Sequence, residues 1–418
     1  MDESMAVTAT RTPRWQAVGK RVVMLLLHQW LLIGMGVACV LAYFFPNVAK
    51  HGGIIKSEYS VMYGVIAIIF LVSGLSIPRQ KLFMQLLNWR LHLIVQIISF
   101  LFIPALVLAV VHIILASDPG GRVDRAVLAG YIFTACIPTT IASNVVMTRA
   151  AGGDDAAALV EVLLANILGP FLTAAWTVTL IPKTAEFDVW RFGGGSLGSM
   201  YKDVFQQLGL SVLLPLFVGQ LVRWTWPDQT NSVIQKTKLP KLASACMLLL
   251  IWTTFSSCFA TGALQSLSVQ SVIFVVFFNI GLYIALTGVC FFTSRPPKLL
   301  SSLGWSIATL SPMTPEETIA VCFCGPAKST ALGIPLLYAM WAPLDLYTKA
   351  KTSVPVLLYT TEQICVAHFF VQLFRRWHAR ISEKEDIEQG HHNEVEPQMS
   401  EIPVESHGIL VGNGRETN

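Results

Sequence analysis

Two short polar runs interrupt an otherwise apolar sequence, and they hold the residues best able to do chemistry. The first is Pro138-Thr139-Thr140 followed by Ser143-Asn144. Proline removes a backbone donor and clashes with the turn before it, so carbonyls upstream lose their helical partners. Inside a bilayer such groups persist only when buried in protein or facing a wet cavity. Ser143 and Asn144 add side-chain oxygens beside them, the ligand type that hard cations favour. The same side chains could equally hydrogen-bond neighbouring helices, and spacing alone leaves both readings open.

The second run is Gly325-Pro326-Ala327-Lys328-Ser329-Thr330. Gly-Pro ends one helix, and Lys328, Ser329 and Thr330 open another whose free N–H groups and positive dipole end favour an anion. Lys328 lies near the middle of its apolar run, where a charge costs roughly 2.5–3.5 kcal/mol on insertion scales. A paired or functional lysine is therefore expected. Glu161, in Ala158-Leu159-Val160-Glu161-Val162-Leu163, is its obvious complement, and Asn166 follows about one turn later. Glu161 could pair Lys328, bind a cation or carry a proton. The expected acceptors for the Lys328 ammonium are Glu161, Ser143 and Asn144. The candidate substrate-binding set is Thr139, Thr140, Ser143, Asn144, Glu161, Asn166, Lys328, Ser329 and Thr330, with Ser143 and Asn144 also candidate sodium ligands. Glu362 and Gln363 form a weaker pair of candidates.

The elements that must position these residues are membrane helices. Hydrophobic residues make up 54% of the 418 residues and charged ones 13%, against about 25% charged in soluble domains; mean hydropathy is +0.59. Ten runs are long and apolar enough to span a bilayer: 22–45, 59–78, 92–115, 126–149, 156–181, 204–226, 242–262, 270–294, 315–340 and 353–374. The polar, basic start of the chain does not read as a cleavable signal. Lys and Arg in the loops favour one side by about two to one, which places both termini in the cytosol. Residues 1–21 then form a cytosolic N-terminal tail, 22–377 a membrane domain, and 378–418 an acidic cytosolic tail expected to be disordered. All eight cysteines fall in apolar runs, which argues against a disulfide framework or a zinc site. No basic block is interleaved with exposed aromatics, so nucleic acid is not an expected partner. The spans carry no HExxH pair, GxSxG elbow or paired catalytic aspartates, so no enzyme is expected.

The two halves echo each other. The first span ends in Phe45-Pro46-Asn47 and the sixth in Trp226-Pro227-Asp228; the fourth and ninth are the two broken by the polar runs. Breaks at corresponding positions point to an inverted-repeat transporter, with repeat one at 22–181 and repeat two at 204–374. Five spans per half, an odd number, makes the halves insert with opposite orientation.

At these residues the chain resembles a known family. Leu71-Val72-Ser73-Gly74-Leu75-Ser76, Ser143-Asn144-Val145-Val146-Met147-Thr148, Ala151-Gly152-Gly153-Asp154-Asp155-Ala156-Ala157-Ala158 and Gly333-Ile334-Pro335-Leu336 look like the bile acid:sodium symporter superfamily, in the branch of solute carrier family 10 member 7. Phe323-Cys324-Gly325-Pro326-Ala327-Lys328 is most similar to that branch's fungal members, negative regulators of calcium influx. The resemblance covers about residues 22–377. It implies an all-α polytopic fold of ten transmembrane helices in two inverted five-helix repeats. Spans 1, 2, 6 and 7 would make a panel domain and the rest a core domain, with broken helices 4 and 9 crossed and substrate bound beside the crossing. It implies a symporter-like transporter that limits calcium influx, acting on an organic anion or another small solute, or else a non-transporting regulator of a partner calcium channel. It places the chain in the plasma membrane, with the Golgi or another secretory membrane as the alternative; the oligomeric state stays open. Sodium-coupled members carry Glu and Gln on the ninth span where this chain has Ala320 and Cys324. That departure argues against sodium as a coupling ion, and no other cofactor is expected.

Overall fold

The computed structural model describes residues 30–399 apart from 51, 119, 141–142, 193–201, 203–205, 207–208, 238, 261, 263–266, 297–311 and 342. The N-terminal tail expected at 1–21 and residues 400–418 lie outside the described residues. The described chain is helical, with no strand among the described residues. In order, the main helices are α1 (Trp30–Phe44), α2 (Ser57–Ser76), α3 (Arg79–Leu86), α4 (Trp89–Ser117), α5 (Arg125–Cys136), α6 (Ser143–Ala150) and α7 (Asp155–Leu180). They continue with α8 (Gly209–Thr225), α9 (Pro227–Thr237), α10 (Leu239–Ala260), α11 (Val269–Ser294), α12 (Pro315–Cys324), α13 (Thr330–Met340) and α14 (Leu346–Met399). Among the described residues five helices are long and apolar enough to cross a membrane, or six if a pair bent by 56° after Thr237 is one span.

Polar residues at the ends of apolar runs start the helices. An N-cap oxygen satisfies backbone N–H groups that the first turn leaves free. Asp124 accepts from Ala126 N at 2.9 Å, and Asp154 from Ala156 N and Ala157 N at 2.9 and 3.0 Å. Thr314 and Glu317 form a capping box on α12.

Two groups of helices pack together. In one, α2 lies against α8 and α10, and α10 against α1. Small residues let backbones approach closely there: a Cβ on Gly74 would sit 2.6 Å from Leu216 O and 3.1 Å from Gly219 Cα. In the other, α5 packs on α14 and on α7, and α11 on α12 and α14. A Cβ on Gly130 of α5 would collide with Thr352 O of α14.

The expected breaks are present. The run at 126–149 divides into α5 and α6, and the run at 315–340 into α12 and α13. The last helix departs from expectation. It continues past residue 377, where a structureless tail was expected, to Met399. The added segment is mostly polar and carries Glu383, Glu385, Glu388, Glu394 and Glu396, a residue type that propagates a helix well without apolar periodicity.

Candidate functional site

The site lies where the two breaks meet, and it is defined by where their freed backbone groups go. Each buried carbonyl needs a donor. On the first break, Cys136 O accepts from Thr173 Oγ1 at 2.8 Å, Pro138 O from Ser329 N at 2.9 Å and Thr139 O from Asn166 Nδ2 at 3.2 Å. On the second, Cys324 O accepts from Thr139 Oγ1 at 2.8 Å, and Pro326 O from the Tyr359 hydroxyl at 2.8 Å. Gln363 serves both backbone groups of Lys328, accepting from Lys328 N at 2.9 Å and donating to Lys328 O at 2.8 Å. Thr140 Oγ1 also donates to Lys328 O, at 2.9 Å. Each break thus supplies donors for the other, which binds the two half-helix pairs into one polar junction.

One carbonyl, Ile137 O, takes a charged donor: Lys328 Nζ at 3.0 Å. The ammonium's other acceptors are Ser99 O at 2.8 Å and Ser99 Oγ at 3.1 Å, and it lies 5.7 Å from the centre of the Phe100 ring. The expected acceptors Glu161, Ser143 and Asn144 do not hold it. The reason is in α4. A wide, π-type turn spans Ile98–Phe102, in which the Ile103 N–H bonds Ile98 O. Pro104 follows and has no N–H. Both donors that could have reached Ser99 O along the helix are therefore engaged or absent, and its carbonyl turns to Lys328. Such turns recur at functional sites. Lys328 is 1% exposed, and the protein groups around its ammonium are two carbonyls, a hydroxyl and a ring face.

Glu161 belongs to a second, adjoining cluster. It is fully buried on α7, and its Oε1 meets His92 Nδ1. Its Oε2 accepts from Gln96 Nε2 at 2.9 Å. His92 Nε2 lies 3.0 Å from Leu86 O. His92, Gln96 and Ser99 stand four and three residues apart, which puts them on one face of α4. This stripe joins the Glu161 cluster to Lys328. Sequence reasoning missed all three residues. Their spacing within an apolar run was the signal that could have found them.

The remaining candidates divide. Asn144 Nδ2 donates to Thr139 Oγ1 at 2.6 Å, and Ser143 is buried at the start of α6. Among the described residues, Asn166 Oδ1, Ser329 Oγ and Thr330 Oγ1 are buried without a hydrogen-bond partner. Gln363 proves integral to the junction. Among the described residues Glu362 contributes no hydrogen bond to it.

The residues fit a sodium pair poorly. Ala320 offers only a methyl, and the Cys324 thiol points to Ala158 O at 3.8 Å. A thiol is a soft ligand, ill matched to a hard alkali cation. Among the described residues no group of three His, Cys, Asp or Glu could hold a metal ion.

Comparison with known proteins places the chain in a family. The chain is 38% identical to "Solute carrier RCH1" of Candida albicans over 394 residues, covering 90% of this chain and 95% of that one. It is 36% identical to "Solute carrier RCH1" of Saccharomyces cerevisiae over 396 residues, covering 88% of each. It is 28% identical to "Sodium/bile acid cotransporter 7" of Mus musculus over 349 residues, covering 84% of this chain and 93% of that one. These relatives are carriers rather than enzymes, and the SBF-like CPA transporter family matches residues 29–376. With that match running through both broken helices, the chain belongs to the SBF-like CPA transporter family, a family of membrane transporters.

Proposed function

We propose that the chain carries a small, anionic solute past the junction of the two breaks, without sodium, and that this transport limits calcium influx into the cell. The observation that carries the reading is the Lys328 ammonium seated between Ser99 O, Ser99 Oγ and Ile137 O. Carbonyl and hydroxyl oxygens of this kind are what a bound alkali cation would take as ligands. Lysine occupies them with a compact charge that stays attached to the chain. A resident cation supports the broken helices at every stage of a transport cycle. It also leaves net positive charge beside the unpartnered Asn166, Ser329 and Thr330 oxygens and the amides at the start of α13, which favours an anion. The inverted repeat, with the α2–α8–α10 group as panel and the α5–α7–α14 group as core, is part of the same proposal. So are residence in the plasma membrane and cytosolic termini.

The test is calcium entry in cells that have lost the chain and in cells that regain it, with external sodium present or replaced by a bulky organic cation. Entry should rise on loss and return to its original level on re-expression, equally in both media. Restraint that disappears when sodium is withdrawn would overturn the fixed-cation reading. Entry indifferent to the chain would overturn the calcium role.

A further inference from the structure

Glu161 and His92 lie beside the Lys328 junction but do not contribute to it, and their bonding has a consequence of its own. Leu86 O can only accept, so His92 Nε2 carries a proton in the contact between them. His92 Nδ1 faces a Glu161 oxygen, and one further proton must lie between those two atoms. A neutral ring protonated on Nε2 offers Nδ1 only as an acceptor, which requires a protonated Glu161. A ring protonated on both nitrogens is an imidazolium facing a carboxylate. Both descriptions give the pair one dissociable proton. Without it, two lone pairs would face each other beside the buried Glu161 carboxyl, and the contact between α4 and α7 would have to open.

We propose that Glu161 and His92 form a proton-binding site that supplies the coupling ion for the transport proposed above. The inference rests on that reading for its role but not for the proton itself. The site has an entry path: the His92 side chain is 17% exposed while that of Glu161 is 0%, so the proton arrives from water on His92 and is shared with Glu161. The site also has a readout. His92, Gln96 and Ser99 are on one face of α4, so opening α4 from α7 shifts the helix that holds Lys328 through Ser99. Binding the proton restores the contact.

Charged and titratable groups on the adjoining elements have partners of their own. From α12, the Cys324 thiol donates to Ala158 O at 3.8 Å. At the α7 N-terminus Asp154 is held by Gln85 at 3.0 Å and by Lys81 at 3.3 Å. Arg149 of α6 pairs Asp155 at 2.6 Å. Asn88 of the α3–α4 turn donates to Glu317 at 2.7 Å, and Lys328 is bound to Ser99 and Ile137. Glu161 is thus left with His92 as its proton partner.

The experiment uses the purified full-length chain in phosphatidylcholine liposomes on a solid-supported membrane. External pH is stepped from about 8 to about 6, across the range in which histidine titrates, with no sodium and no added solute. The wild-type chain should give a transient charge movement. The transient should be lost in Glu161→Gln and in His92→Gln. Either pair variant decides the matter if the other fails to insert. A transient unchanged in the inserted variants, or one evoked by a sodium step and not by a pH step, overturns the proton site. This measurement needs no transported solute, so it stands even where the calcium reading fails. In cells, restraint on calcium entry should depend on external pH with the wild-type chain and lose that dependence with Glu161→Gln. An unaltered pH profile in Glu161→Gln overturns the coupling role alone.

Discussion

Replacing Lys328 by methionine removes the resident cation while keeping most of its length. Three contacts are lost, to Ser99 O, Ser99 Oγ and Ile137 O. Two are buried carbonyls, and leaving a buried polar group unsatisfied costs about 1–3 kcal/mol each. The hydroxyl can rotate to another acceptor. Against this, the variant no longer buries a charge, a relief of roughly 2.5–3.5 kcal/mol. The two effects nearly cancel, so Lys328→Met should insert and fold close to normally. Lys328→Ala adds a cavity, and truncations of this size cost about 2–5 kcal/mol, so it should be visibly less stable. Lys328→Arg should function poorly, because a planar guanidinium is larger than the space between Ser99 and Ile137. Function should be absent in Lys328→Met despite its normal amount. The assay is calcium entry in cells lacking the wild-type chain, normalised to membrane-inserted protein. Lys328→Met at wild-type abundance with wild-type restraint of calcium entry would refute the reasoning. Misfolded Lys328→Met would show instead that the carbonyls depend on the charge far more than these magnitudes allow.

Other expectations concern the surrounding scaffold. Pro104→Ala supplies a backbone N–H that Ser99 O can accept; it should hold or raise thermal stability in detergent while reducing transport-linked restraint, and loss of stability would contradict the account of the freed carbonyl. Gly74→Val should lower stability by about 1–3 kcal/mol through overpacking, because its first atom already meets Leu216 O at 2.6 Å; an unchanged melting temperature would show that α2 and α8 do not lie so close. Truncation after Arg380 should leave insertion intact, since the helix beyond it carries few apolar residues; membrane fractionation would expose a structural role if the truncated protein disappeared. Tags at either terminus should be reached by antibody only after permeabilisation, and labelling of intact cells would reverse the orientation.

The breaks were legible in the sequence because proline and glycine declare themselves without tertiary context. Pro138 and Gly325-Pro326 each end a helix by removing a donor or relaxing the backbone, and α5 and α12 stop there. The depth of Lys328 was legible for the same reason: an isolated charge in an apolar run is visible by counting. Its partners were not. Pairing lysine with the nearest carboxylate assumes that charge compensation needs an opposite charge. In the folded chain a wide turn and Pro104 release a neutral carbonyl on α4 instead, and nothing local marks Ser99 as the recipient. Glu161 stands out in the sequence as an isolated acid in an apolar run and is buried in the fold, but its partner His92 looks unremarkable until its four-residue spacing from Gln96 is placed on a helix. The helical extension to Met399 went unread because a search for apolar periodicity does not register a helix made of charged residues.

Transport by the chain alone is the central claim. The most direct measurement is untargeted mass spectrometry of small solutes accumulated by liposomes containing only this protein, loaded externally with a cytosolic extract and run with a sodium gradient, a proton gradient or neither. The account predicts that an anionic solute accumulates with the wild-type chain, independently of sodium, and fails to accumulate with Lys328→Met. Silent liposomes from protein that still restrains calcium entry in cells would contradict it and favour a regulator acting on a partner channel.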